Sequence, residues 1–88
     1  MEFKKQAEEI KRGLDAMTTE VNETPGIKIV ITGSQNIRSI EIADHLVNSD
    51  NKKRLENDIL RSVNAAIKKS QQLAAQKMKD VMPGLPGF

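Results

Sequence analysis

Residues 26–42, GIKIVITGSQNIRSIEI, carry the clearest alternation of apolar and polar positions in the chain. Ile27, Ile29 and Ile31 alternate with Lys28, Val30 and Thr32, a period of two that fits a half-buried strand and not a helix. Gly33, Ser34, Gln35 and Asn36 tolerate turn dihedrals, after which Ile40 and Ile42 alternate with Ser39 and Glu41. The pattern predicts a β-hairpin with strands over Ile27–Thr32 and Ile37–Ile42.

Ahead of the hairpin, Phe3, Ala7, Ile10, Leu14 and Met17 recur at spacings of four, three, four and three, the seam of an amphipathic helix. Such a seam covers only about two heptads, too few for a self-sufficient coiled coil, so it has to pack on another element. Gly13 weakens the helix by about 1 kcal/mol relative to Ala and increases that dependence. Residues 18–23, TTEVNE, are rich in β-branched side chains and predict a short first strand before the turn at Thr24, Pro25 and Gly26.

After the hairpin, residues 43–51 form a polar connection in which Leu46 and Val47 are expected to tuck under the last helix. Ser49, Asp50 or Asn51 is expected to cap that helix. It should run from Lys52 to about Met82, where Pro83 and Gly84 stop it. Its apolar line is Leu60, Val63, Ile67, Ser70, Ala74 and Val81, widened by Ile59, Ala66 and Leu73. A helix of about 30 residues is roughly 45 Å long, against about 20 Å for a six-residue strand, so half of it overhangs the sheet.

The N-terminal helix covers part of that overhang, and a second copy of the chain is the simpler cover for the rest. Helices on one face of the sheet leave Val30 and its same-side neighbours on the other. An isologous homodimer is expected to cover that face or to continue the sheet across a two-fold axis. The predicted fold class is therefore α+β, an α-β-β-β-α protomer with a small antiparallel sheet, forming one domain over residues 1–82. Residues 83–88, PGLPGF, read as a mobile Pro/Gly-rich tail.

Composition narrows the function classes. With no Trp or Tyr and two Phe among 88 residues, the core is aliphatic and the aromatic platforms on which single-stranded nucleic acid stacks are missing. The absence of Cys removes disulfides, thiolate metal sites and cysteine nucleophiles. No apolar run is long enough for a signal peptide or a membrane span, so a cytoplasmic protein without a membrane partner is expected. The single His, His45, stands beside Asp44 without a nucleophile or an orienting third group, and a surface histidine is the better reading. No catalytic residue, metal site, cofactor or small-molecule substrate is expected.

Charge changes the picture most. The net charge is +2, yet residues 1–50 carry 6 basic and 9 acidic side chains (−3) while residues 51–88 carry 8 basic and 3 acidic (+5). Residues 59–79 include five Lys or Arg and no acidic residue. Helical projection aligns Arg54, Arg61, Lys68 and Lys79 in one stripe roughly opposite the apolar face, with Lys69 and Lys77 beside it and Gln72 and Gln76 as nearby donors. A merely solvated helix face is the plain alternative, but such a face usually mixes signs for i,i+4 pairing. Lys4, Lys5, Lys11 and Arg12 lie among Glu8, Glu9 and Asp15 and fit a solvated face better. Met17, Met78 and Met82 fall on or near apolar faces, as core or gap filling.

Taken in order, the KQAEEI helix, the EVNE strand, GIKIVITGSQNIRSIEI, the helix with LENDILRSVNAAIKKSQQ and the PGLPGF tail resemble the YbaB/EbfC family of nucleoid-associated proteins over nearly the whole chain. The resemblance implies a homodimer whose paired helices project like tweezers, bind double-stranded DNA and associate with the bacterial chromosome. It also implies that Lys68 and Lys69, after Asn64, Ala65 and Ala66, match basic positions of the family, and that Lys4 and Lys5 lie near the start of its KQA segment. The candidate DNA-binding residues are thus Lys4, Lys5, Arg54, Arg61, Lys68, Lys69, Gln72 and Lys79. The leading function is a non-enzymatic, dimeric, nucleoid-located DNA-binding protein with weak sequence preference. The alternative is a protein-interaction or adaptor dimer that uses its helical seam or its tail.

Overall fold

The structure is a computed structural model that describes the backbone of residues 2–81 and the side chains of residues 7–80. Helix α1 (Glu2–Ala16) leads into β1 (Thr18–Val21), β2 (Ile27–Thr32) and β3 (Ile37–Ile42). Two 3-10 turns, Asp44–Leu46 and Ser49–Asn51, then precede the long helix α2 (Lys52–Val81). The strands form one antiparallel sheet in the order β1-β2-β3. The α+β protomer expected from the sequence is therefore present, with β1 ending at Val21, two residues short of the TTEVNE segment. Met82 and the tail at 83–88 lie outside the described residues.

Register explains an irregularity in the apolar pattern. Ile27 pairs with Ile42 and Ile29 with Ile40, but a shift between Val30 and Ile31 sets Val30 opposite Ser39 and Ile31 opposite Ile37. Arg38 is the extra residue of this bulge. Without it, Ile37 would project to the face opposite Ile40, because successive side chains alternate. With it, Ile37, Ile40 and Ile42 share the face of Ile27, Ile29 and Ile31, since directly opposed residues project to the same side.

α2 packs on that face, over β1 and β2. The core is Val21, Ile27, Ile29, Ile31 and Ala66, with Leu46, Leu55, Ile59, Val63 and Ala65 packed against it. The line of α2 that meets the sheet therefore runs through Leu55, Ile59, Ser62, Val63, Ala66 and Ser70: it keeps Val63 and Ser70 of the expected seam and Ile59 and Ala66 of its widening, and is turned away from Leu60. Small side chains at Ser62, Ala66 and Ser70, all essentially fully buried, let the helix approach closely. Both hydroxyls are satisfied: Ser62 donates to the Asp58 carbonyl at 2.7 Å and stands 3.3 Å from the Thr24 hydroxyl, from which it can accept, and Ser70 donates to the Thr32 carbonyl at 2.7 Å.

Displacing α2 toward β1 leaves the β3 side uncovered. Ile37, Ile40 and Leu60 are exposed although they are large and apolar. The opposite face of the sheet is polar: Lys28 Nζ lies 2.9 Å from Glu41 and 3.7 Å from Glu20. The hydrogen bond and charge of Glu41, with Glu20 adding, hold the Lys28 ammonium above its usual value of 10.5. That face carries a solvated ion-pair row, and the apolar surface left open lies on the α2 side.

The connection also differs in detail. Leu46 packs against the core, but Val47, at the end of the first 3-10 turn, is exposed. Asn48 caps the second 3-10 turn, its side chain accepting from the Asn51 N–H at 2.9 Å, and that turn runs directly into α2 at Lys52.

α1 is joined to the sheet at its C-terminal end. The Gly33 N–H donates to the Leu14 and Met17 carbonyls at 3.0 and 2.9 Å, Ser34 Oγ bonds Asp15, and Arg38 reaches the Asp15 carbonyl at 3.4 Å. Ile10, Leu14 and Met17 are half-buried, whereas Ala7 is exposed. At Gly13 a Cβ would stand 3.3 Å from Lys77 Cε, so the glycine that weakens α1 is where the helix passes the far half of α2. The long axis of the protomer is 55 Å, set by the overhang of α2.

Candidate nucleic-acid interface

A 30-residue helix resting on two short strands presents most of its circumference to solvent. Arg54, Arg61, Lys68 and Lys79 lie about 150° round α2 from the buried line and are all exposed. Lys68, Lys69 and Gln72 also line an open concavity of about 420 Å³, whose other wall is Glu20, Val21, Asn22 and Glu23 at the end of β1, with Ala65 between. This places the basic surface on the β1 side of the helix. Leu60 is nine residues before Lys69, about 180° round the helix, and so faces the β3 side.

The predicted cations are not equally available. Arg54 and Arg61 each stand 4.0 Å from Asp58, which is only 13% exposed, while the arginines are 79% and 64% exposed. Two stripe residues thus share one carboxylate, in loose surface pairs of the kind worth about 0–1 kcal/mol. Lys68, Lys69 and Lys79 take part in no ion pair among the described residues. Gln76, a nearby donor, turns its amide to Asp80 at 3.3 Å. Lys77 is half-buried beside Gly13. Lys4 and Lys5 belong to the first turns of α1, and their side chains lie outside the described residues.

Two acidic features were missed. The role of Asp58 was readable, since it stands four residues after Arg54 and three before Arg61 on one helix. The position of Glu23 across the concavity from Lys68 and Lys69 was not, because only the packing of α2 beside β1 creates that wall.

The remaining surface offers little chemistry. His45 is exposed on its 3-10 turn. Among the described residues no group of three or more His, Cys, Asp or Glu is arranged to hold a metal ion, and no helix is long and apolar enough to cross a membrane.

Comparison with known proteins gives this geometry a context. A nucleoid-associated protein of Ruminiclostridium cellulolyticum is 34% identical over 87 residues, covering 98% of this chain and 76% of that protein. One from Roseiflexus castenholzii is 32% identical over 89 residues, covering 99% of this chain and 89% of its own. One from Clostridium botulinum is 32% identical over 76 residues, covering 83% of this chain and 67% of its own. The model of the YbaB/EbfC DNA-binding family matches residues 1–85, and the chain belongs to that family.

Proposed function

We propose that this chain is a non-enzymatic, nucleoid-associated protein that binds double-stranded DNA as a homodimer, through the basic side of α2. The observation that carries the reading is the pair of surfaces that α2 leaves exposed: a basic one at Lys68, Lys69 and Lys79, which make no ion pair among the described residues, and an apolar one at Leu60, about 80–180° round the helix from those lysines and on the side of Ile37 and Ile40. A second copy seated on the apolar flank leaves both basic flanks open, so self-association and DNA binding do not compete for one surface. The family and the names of its members supply DNA and the nucleoid as partner and place.

Affinity then rests on phosphate neutralisation with release of counterions, which makes it fall steeply with salt. Lys68, Lys69 and Lys79 are the principal contacts, Arg54 and Arg61 join once phosphate displaces Asp58, and Lys4 and Lys5 extend the surface from α1. Gln72 and Asn64 are the available base readers, too few for strong sequence preference. Charge reversal at both Lys68 and Lys69 should weaken binding to unrelated duplexes alike in an electrophoretic shift. An unchanged shift would remove α2 from the contact surface. No binding by the unaltered protein at low salt would leave the protein-interaction dimer as the better reading.

A further inference from the structure

The basic flank of α2 does not stand alone. Across the concavity from Lys68 and Lys69 the end of β1 presents Glu20, Asn22 and Glu23. Glu20 is answered within the sheet by Lys28, 3.7 Å away. Glu23 is exposed and takes part in no ion pair among the described residues. Glu23, Lys68 and Lys69 line the same open concavity of about 420 Å³, and charges around one such opening act on each other over the Debye length of about 10 Å at 0.1 M salt. A phosphate reaching Lys68 and Lys69 therefore enters the field of the Glu23 carboxylate as well.

From this juxtaposition, and resting on the DNA reading above, we infer that Glu23 is an affinity-setting residue of the DNA surface. Its carboxylate opposes phosphate across the concavity and holds binding below what Lys68 and Lys69 alone would give. Opposing charge beside a binding surface makes contacts more reversible without removing them, because the repulsion acts on every duplex irrespective of sequence. Glu23 lies beyond β1 and outside the core, so it can be neutralised without disturbing the fold.

The test compares Glu23→Gln with Glu56→Gln, which makes the same change in net charge. Glu56 is exposed on α2, about 120–140° round the helix from Lys68 and Lys69. Dissociation constants for two unrelated duplexes are measured at about 50 mM salt and then across a salt series. Glu23→Gln should tighten binding to both duplexes by about 3-fold at about 50 mM salt, a gain that shrinks as salt rises because the repulsion it removes is screened, while Glu56→Gln changes binding by less than about 1.5-fold. Equal tightening by both variants would reduce the effect to net charge and overturn the inference, as would Glu23→Gln binding no more tightly than the unaltered protein. Failure of the unaltered protein to bind any duplex would overturn the DNA reading and this inference together. Intact binding with an unmoved Glu23→Gln would overturn this inference alone.

Discussion

Leu60→Asp separates the two surfaces of α2. Leu60 is 61% exposed in the protomer, leaving about 100 Å² of apolar surface in water, worth about 2.5 kcal/mol at about 25 cal/mol per Å² if a partner covers it. A two-fold interface buries the residue twice, so complete burial contributes about 5 kcal/mol, and the aspartate adds a desolvation penalty in place of that gain. Allowing for partial burial, we expect the dimer dissociation constant to rise by about 10²–10³-fold, as 1.4 kcal/mol is tenfold. Protomer folding should change by no more than about 0.5 kcal/mol, because Leu60 makes no part of the core. Sedimentation velocity over a concentration series reads the first quantity, and circular dichroism at low concentration reads the second. A Leu60→Asp protein that associates as tightly as the original would refute the assignment of the apolar flank to self-association.

Two further substitutions test how the scaffold holds the helices. Ser70→Ala removes the donor to the Thr32 carbonyl and the acceptor of the Gln35 N–H, at 2.7 and 3.0 Å. A loss of about 1–3 kcal/mol in urea denaturation is expected from the unpaired groups, and a loss under about 0.5 kcal/mol would show that this clamp between α2 and the hairpin turn is dispensable. Gly26→Ala forces a Cβ onto a residue with φ of +89°, 2.8 Å from Leu46 Cδ1. Leu46 can swing aside, so the cost is chiefly backbone strain of about 1–2 kcal/mol. A melting temperature equal to that of the unaltered protein, at matched concentration, would contradict it.

The elements were largely legible because each has a local cause. The alternation at Ile27, Ile29 and Ile31 and the three/four spacing from Ile10 to Met17 are short-range signals. What escaped was lateral placement. The seam expected through Leu60, Val63, Ile67, Ser70 and Ala74 overlaps the observed line through Leu55, Ile59, Ser62, Val63, Ala66 and Ser70, and periodicity cannot say how far round the helix the buried line is turned. Ser62 looks polar in sequence, yet it is buried because its hydroxyl finds partners in Asp58 and Thr24, while Ser70, already on the expected apolar line, finds the Thr32 carbonyl. The bulge at Arg38 likewise hides the shared face of Ile37 and Ile40. In the candidate site, the exposure of Lys68, Lys69 and Lys79 followed from helical projection. The acidic wall at Glu23 arises from tertiary packing, which a single helix pattern does not encode.

The most direct measurement is a salt titration of binding to two unrelated duplexes, with the oligomeric state of the complex recorded at each step. A dimer presenting Lys68, Lys69 and Lys79 from each protomer to phosphate should give a log–log slope of about −5 on both sequences. Binding that ignores salt, or no binding at low salt, would contradict a DNA surface built on the basic flank of α2.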